Sequence, residues 1–163
     1  METDDWRCNV FVSKKRGKDV GRTKIGKGTK LMLLTDQQGL PVSLFVCGAN
    51  IAEVHAIETL VEVRVADQRP DYLLYDKAAD ANWLRDALDR RGIEQVTRHR
   101  KNRKNIRQDG RTARRLTTHR WKVERTMSWL KNSRRLEVRR EYYPQLFEAF
   151  AHLACILLYL NRY

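Results

Sequence analysis

The stretch Pro70-Asp71-Tyr72-Leu73-Leu74-Tyr75-Asp76-Lys77 decides the fold. Tyr72 to Tyr75 is apolar without alternation, the pattern of a strand buried on both faces. Helical patterns flank it. Upstream, Ile51, Val54, Ile57, Val61 and Val65 recur at helical spacing, which predicts an amphipathic helix over 51–66. Gly48-Ala49-Asn50 offers a break and an N-cap before it, and Arg69-Pro70 stops it. Downstream, Asp80 can cap a second helix over 81–91, with Trp83, Leu84, Ala87 and Leu88 on one side and Gly92 at its end. Ile93 to Thr97 then reads as a strand. Strand, helix and strand in this order predict a parallel βαβ crossover.

Working outward, Cys8 to Ser13 is β-branched and aromatic, a predicted strand. Lys14 to Gly28 is a basic, glycine-punctuated loop. Thr29 to Thr35 and Pro41 to Cys47 form a hairpin through Asp36-Gln37-Gln38-Gly39. Residues 98–116 are polar and basic, with a turn at Asp109-Gly110. A helix is predicted over 118–136, and Pro144 opens another over 145–160. The order β-β-β-α-β-α-β-α-α gives an α/β fold, an antiparallel meander plus a βαβ crossover in one mixed sheet flanked by helices. No internal boundary divides residues 1–163, which read as a single domain.

The 163 residues are 42% apolar and 33% charged, enough to form a core. Cys8, Cys47 and Cys155 are scattered and odd in number, which speaks against a disulfide framework and for reduced core thiols. They make no C-x-x-C pair, so a structural zinc site has no support. The longest apolar stretch, Ala151 to Leu160, is too short to span a membrane. The acidic start Met-Glu-Thr-Asp-Asp-Trp is no secretory signal.

Charge is concentrated. The net charge is +13, yet residues 98–140 alone hold 17 Lys/Arg against 3 Asp/Glu, and residues 14–30 hold 8 against one. The remainder is mildly acidic. Two basic segments on such a body are a polyanion footprint, which points to nucleic acid. Arg100, Lys101, Arg103 and Lys104 are the densest candidates for phosphate contact.

Two carboxylates stand out. Asp76 closes the buried strand, and ligands of open α/β sheets bind outside that edge. On position alone a capping or loop Asp is the favoured reading. Glu124 sits in Arg120-Trp121-Lys122-Val123-Glu124-Arg125-Thr126-Met127-Ser128-Trp129-Leu130-Lys131. At about 100° per residue, Arg120, Glu124 and Lys131 fall within about 40° of one another, beside Val123, Met127 and Leu130, which face the core. On spacing alone, Arg120 and Glu124 could equally be an ordinary i,i+4 surface pair.

With these residues in place the chain resembles the catalytic part of bacterial insertion-sequence transposases with an Asp-Asp-Glu core, from about Val10 to Leu160. Val20-Gly21-Arg22-Thr23-Lys24 with Gly26 to Lys30, the hairpin followed by Gly48-Ala49-Asn50, Tyr75-Asp76-Lys77-Ala78-Ala79-Asp80, and Arg120 to Leu130 carry the resemblance. Arg120, Glu124 and Lys131 match the signature Y-x-x-R-x-x-x-E-x-x-x-x-x-x-K, and Thr117 replaces its Tyr.

The resemblance implies a ribonuclease-H-like fold, Asp76 and Glu124 as the second and third acids, and Arg120 and Lys131 as phosphate contacts. It implies two Mg²⁺ or Mn²⁺ ions for strand cleavage and transfer, since hard carboxylate oxygens suit them. DNA ends and target are the implied partners, with a homodimer to consider and no membrane, in the bacterial cytoplasm at the nucleoid. The first acid is expected near Arg7, where no Asp stands. Either Asp5, two positions away on the same strand face, serves, or the acid is lost and a DNA-binding remnant is left. An upstream helical DNA-binding segment, which the resemblance implies, is expected to be lacking, as in such a fragment.

His55, His99, His119 and His152 show no metal-ligand spacing. His152, in the apolar last helix, is expected to be a core histidine. Trp83, Trp121 and Trp129 could stack on bases, but core anchoring is the favoured expectation.

Overall fold

The computed structural model describes residues 3–14, 17–24, 26–65, 69–98, 101 and 111–162, with side chains described from residue 10 onward except over 111–119. Six strands form one sheet: β1 (Thr3–Val12), β2 (Gly21–Thr23), β3 (Gly26–Thr35), β4 (Pro41–Gly48), β5 (Tyr72–Tyr75) and β6 (Glu94–Thr97). β1 pairs antiparallel with β3 and parallel with β5, and β5 pairs parallel with β6. The outer edge of β3 is shared by β2 near its start and β4 along the rest. The helices are α1 (Glu53–Glu62), α2 (Asn82–Asp89), α3 (Arg111–Lys131), α4 (Arg134–Glu137) and α5 (Pro144–Leu160), with a 3₁₀ turn at Lys77–Ala79.

The predicted order of major elements holds, and the sheet is mixed, a meander followed by a parallel crossover. The short β2 is an addition. The basic loop ends earlier than predicted because Gly21–Thr23 and Gly26–Gly28 pair with each other. The first strand reaches back to Thr3 through its pairing with β5. The long helix predicted over 118–136 starts earlier and breaks at Asn132 and Ser133 before the one-turn α4.

The core lies on both faces of the sheet. Leu31, Met32, Leu33 and Leu34 of β3 are all fully buried. Alternation sends Met32 and Leu34 to one side, where they meet Ile57 and Leu60 of α1, Leu84 and Leu88 of α2, and Leu73 and Tyr75 of β5. Leu31 and Leu33 go to the other side, with Val123, Met127 and Leu130 of α3 and Phe147, Ala151 and Cys155 of α5. Each fully buried Leu contributes roughly 1.5–3 kcal/mol, so this strand anchors both helical layers.

Two expected caps are used differently. α1 and α2 begin after Ala52 and Ala81 without side-chain caps. Asp80 instead forms a buried pair with Arg85, 3.4 Å away. Asn50 packs where only Gly21 and Gly48 leave room, since a Cβ on either glycine would collide with its side chain. His152 is exposed, contrary to expectation, because Phe147, Ala151, Ala154 and Cys155 occupy the inward face of α5.

Arg139 is fully buried and clamps the basic loop to the sheet. Its guanidinium donates to the carbonyls of Lys18 (2.8 Å), Asp19 (3.3 Å), Glu141 (3.1 Å) and Tyr142 (3.1 Å), and to Thr29 Oγ1 (2.5 Å). Asp19 has φ +56°, a conformation Asp tolerates better than most residues, and Thr29 Oγ1 also donates to its carbonyl. A planar fork can serve this many acceptors and an ammonium cannot. Replacing Arg139 by Met should therefore cost about 3 kcal/mol or more by stranding buried acceptors, and Arg139→Lys should recover only part of it. Urea unfolding midpoints measure both, and a loss below about 1 kcal/mol for Arg139→Met would contradict the clamp.

Candidate active site

Asp76 comes directly after β5, at the carboxyl edge of the parallel part of the sheet. Its Oδ1 accepts from the Lys77 backbone N–H at 2.6 Å, and its carbonyl accepts from Thr97 Oγ1 at 2.8 Å. It thus caps the 3₁₀ turn while its carboxylate stays about half exposed. α3 crosses the same edge, pinned by Val123, Met127 and Leu130 in the core. That pinning turns Glu124, also half exposed, outward.

Arg120 joins the two acids. Its Nε donates to Glu124 Oε1 at 3.1 Å, and its Nη2 lies 3.7 Å from Asp76 Oδ2. A guanidinium is a rigid planar fork, so both carboxylates lie within about 9 Å of each other. The i,i+4 pair considered from spacing is present, and it extends to an acid 48 positions away in sequence. All three groups are close to half exposed, so the arrangement contributes little to stability. It marks a solvent-accessible edge where two carboxylates face one guanidinium.

The third expected acid lies on β1. The parallel register places Asp5 beside Leu74. Continued by two residues, past the end of β5, this register brings Arg7 to Asp76. Asp5 therefore falls short of Asp76 along the sheet, and the position level with Asp76 carries an arginine. The side chains of Asp5 and Arg7 are outside the described set. Among the described residues no group of three His, Cys, Asp or Glu is assembled for a metal.

The cations divide. Lys131 is exposed, with its ammonium 5.8 Å from the Phe11 ring centroid. Lys101 is exposed as well, whereas Arg100, Arg103 and Lys104 lie outside the described residues. Several basic residues are spent internally. Lys30 donates to the Ile51 carbonyl at 2.6 Å, Lys122 to the Gln37 carbonyl at 2.5 Å, and Arg139 forms the clamp. Trp83, Trp121 and Trp129 are 43%, 51% and 37% exposed, so the expected core anchoring is corrected for all three. His55 stacks on Trp83 at 5.3 Å. The charge count did not single out Arg139, which is buried because the carbonyls of Lys18, Asp19, Glu141 and Tyr142 converge on it.

A mixed sheet of this order, with helices on both faces and two acids meeting at the edge, is the ribonuclease-H-like core of transposases and integrases. The chain belongs to the transposase DDE domain family, whose model matches residues 8–160. It is 33% identical over 142 residues to a Burkholderia cepacia protein assigned as the transposase of insertion sequence element IS402, a match covering 82% of this chain and 64% of that protein.

Solved structures agree on the fold. The piggyBac transposase in a synaptic complex with hairpin DNA aligns with TM-score 0.63 at 10% identity, over 94% of this chain and 45% of that one. The simian T-cell lymphotropic virus intasome gives 0.57 at 13%, over 94% and 46%. The catalytic core of BIV integrase gives 0.52 at 16%, over 93% and 80%. No helix among the described residues is long and apolar enough to cross a membrane.

Cys47 and Cys155 are buried and free. Burial pushes their thiols up to about 11 and about 12, with Lys30 pulling Cys47 partly back. Neither is poised as a nucleophile. Iodoacetamide at pH 8 should leave both unmodified in the native chain and alkylate both in urea, as read by peptide mass spectrometry. A thiol pKa raised by folding favours the protonated form, so this contribution is complete below the unfolded value of 9.0 and is lost as pH climbs through the folded values. Urea midpoints should accordingly fall above about pH 9.

Proposed function

We propose that the chain is the catalytic domain of an insertion-sequence transposase and that it cleaves and transfers DNA strands at Asp76 and Glu124. The observation that carries this reading is the meeting of these two carboxylates on Arg120 at the carboxyl edge of β5.

The donor set suits a hard divalent cation. Two half-exposed carboxylates flank one guanidinium, and oxygen donors of this kind favour Mg²⁺ or Mn²⁺ over a softer metal. Asp76 and Glu124 would hold the ion, and a third ligand would come from β1. Such ions, when bound, polarise a phosphodiester and stabilise the leaving oxygen. The chain's own residues do the rest. Arg120 offsets the repulsion between the two acids and is placed to meet a phosphate entering the edge. Lys131, about two turns beyond Glu124 on α3, adds an exposed point charge on the same stripe. The exposed basic residues extend that field and draw DNA in.

The register of β1 favours a second reading. With Arg7 level with Asp76, the acid set is incomplete and the domain binds DNA without cutting it. A nicking assay on supercoiled plasmid with Mg²⁺ or Mn²⁺ separates the two. Strand cleavage by the native chain, reduced at least about a hundredfold by Asp76→Asn and by Glu124→Gln, supports the active reading. Loss with Asp5→Ala would make Asp5 the first acid. An inactive native chain that gains cleavage as Arg7→Asp supports the incomplete site. Cleavage unaffected by Asp76→Asn and Glu124→Gln removes the site altogether.

Either reading requires DNA binding steeply sensitive to salt. Neutralising about five phosphates gives a log–log slope near −4 to −5. Fluorescence anisotropy across a salt series measures it, and a slope shallower than about −1 contradicts the polyanion surface.

A further inference from the structure

Asp76 is held by more hydrogen bonds than its turn needs. Its carbonyl already accepts the backbone N–H of Ala79 at 3.0 Å, the bond that closes the 3₁₀ turn. The Ala79 carbonyl already accepts the N–H of Ala81 at 2.7 Å. Both acceptors would be satisfied without any side chain. Each nevertheless takes a second donor from β6. Thr97 Oγ1 donates to the Asp76 carbonyl at 2.8 Å, and Gln95 Nε2 donates to the Ala79 carbonyl at 2.7 Å.

These donors sit where the core calls for apolar groups. The parallel register sets Gln95 beside Leu73 and Thr97 beside Tyr75, on the face of the sheet that α1 and α2 cover. Both are fully buried. Burying an amide or a hydroxyl costs free energy that its hydrogen bond does little more than offset, so Leu and Val would serve the core as well. Packing therefore does not account for this pair. What the two share is the turn, which they grip at either end. Just beyond it, Asp80 is tied to the buried Arg85 of α2.

The grip reaches the carboxylate through one rigid unit. The Asp76 carbonyl and the Lys77 N–H belong to the same planar trans peptide, so they point in opposite directions and turn together. Thr97 holds the carbonyl on one side. The N–H on the other side holds Asp76 Oδ1 at 2.6 Å. Fixing Oδ1 aims the second oxygen, Oδ2, which is the one that faces Arg120 at 3.7 Å. Thr97 thus sets the direction of Oδ2 without touching it.

We propose that Thr97 is a positioning residue for Asp76, aiming its outer carboxylate oxygen at the edge shared with Glu124, with Gln95 steadying the far end of the turn. The proposal rests on the reading of Asp76 and Glu124 as cation ligands. It adds that the cation affinity of this half-exposed carboxylate depends on a hydroxyl buried beneath it.

The experiment is Mn²⁺ binding to the full chain without DNA, read from the electron paramagnetic resonance signal of the free ion. Thr97→Val keeps the side-chain volume and removes the donor, whereas Thr97→Ser keeps the donor. Thr97→Val should bind Mn²⁺ about tenfold more weakly than the native chain, and Thr97→Ser within about twofold of it. Gln95→Met should weaken binding less than Thr97→Val. Amide exchange at Lys77 should quicken about tenfold in Thr97→Val, while Leu33 in the core strand β3 exchanges as in the native chain. Native-like Mn²⁺ affinity in Thr97→Val overturns the proposal. So does exchange at Leu33 that quickens along with Lys77, or failure of Thr97→Val to fold, since either would assign the hydroxyl to the fold as a whole. Asp76→Asn separates these outcomes from failure of the site. If Asp76→Asn and the native chain bind Mn²⁺ equally, or neither binds it, the cation reading itself fails and the positioning role falls with it.

Discussion

The burial of Leu31 to Leu34 on both faces of β3 is the constraint that organises the molecule. Four consecutive side chains with no exposure leave no solvent face on this strand, so the sheet must be covered on each side. α1 and α2 take one face and α3 and α5 take the other. β1 lies between β3 and β5, so the helix that packs over β3 and β1 also reaches the edge where β5 ends. The convergence of Asp76 and Glu124 is therefore a by-product of core packing. The half-exposed contacts through Arg120 are too weak to create it.

Charge in this chain has two jobs that composition does not separate. Arg139 and the Asp80–Arg85 pair lie inside the fold, where a buried cation is tolerable only when oxygen atoms meet it. Lys30 and Lys122 spend their ammonium groups on backbone carbonyls. The exposed remainder, including Arg120, Lys131, Arg134 and Arg140, supplies outward-facing cations among the described residues. The exposed positive charge is thus less than the count of basic residues suggests, and these four cations lie on α3, α4 and the segment leading to α5.

The edge that carries Asp76 and Glu124 shows how far family resemblance reaches and where register takes over. Arg120, Glu124 and Lys131 share one helix face, as a spacing of four and seven residues demands. Asp76 joins them because parallel strands bring their carboxyl ends to one edge. The first acid is a different matter, because it depends on how β1 slides against β5. The pairing with β5 ends at Asp5 beside Leu74, and continuing it by two residues brings Arg7 level with Asp76. A shift of two residues preserves the face and moves the side chain about 7 Å along the sheet, a large displacement for a metal ligand.

Local pattern was enough to read the two-faced strand at Tyr72 to Tyr75, the hairpin from Thr29 to Cys47, the helical stripe Val123, Met127 and Leu130, and with them the mixed sheet. These signals are periodicities and turn residues, which the chain carries wherever it goes. Tertiary structure alone decided what depends on neighbours distant in sequence. The start of β1 at Thr3 was set by β5, which supplies hydrogen bonds that no local propensity announces. Asp80 looked like a helix cap and became half of a buried pair because Arg85 turns inward beside it. His152 was placed in an apolar helix by its sequence and in water by the residues that fill the contact between α5 and the sheet. Trp121 and Trp129 looked like core and stand outside it, because Val123, Met127 and Leu130 already occupy the one face of α3 that the sheet can cover. A helix has a single buried stripe, and which aromatic residues miss it is settled only when the helix docks.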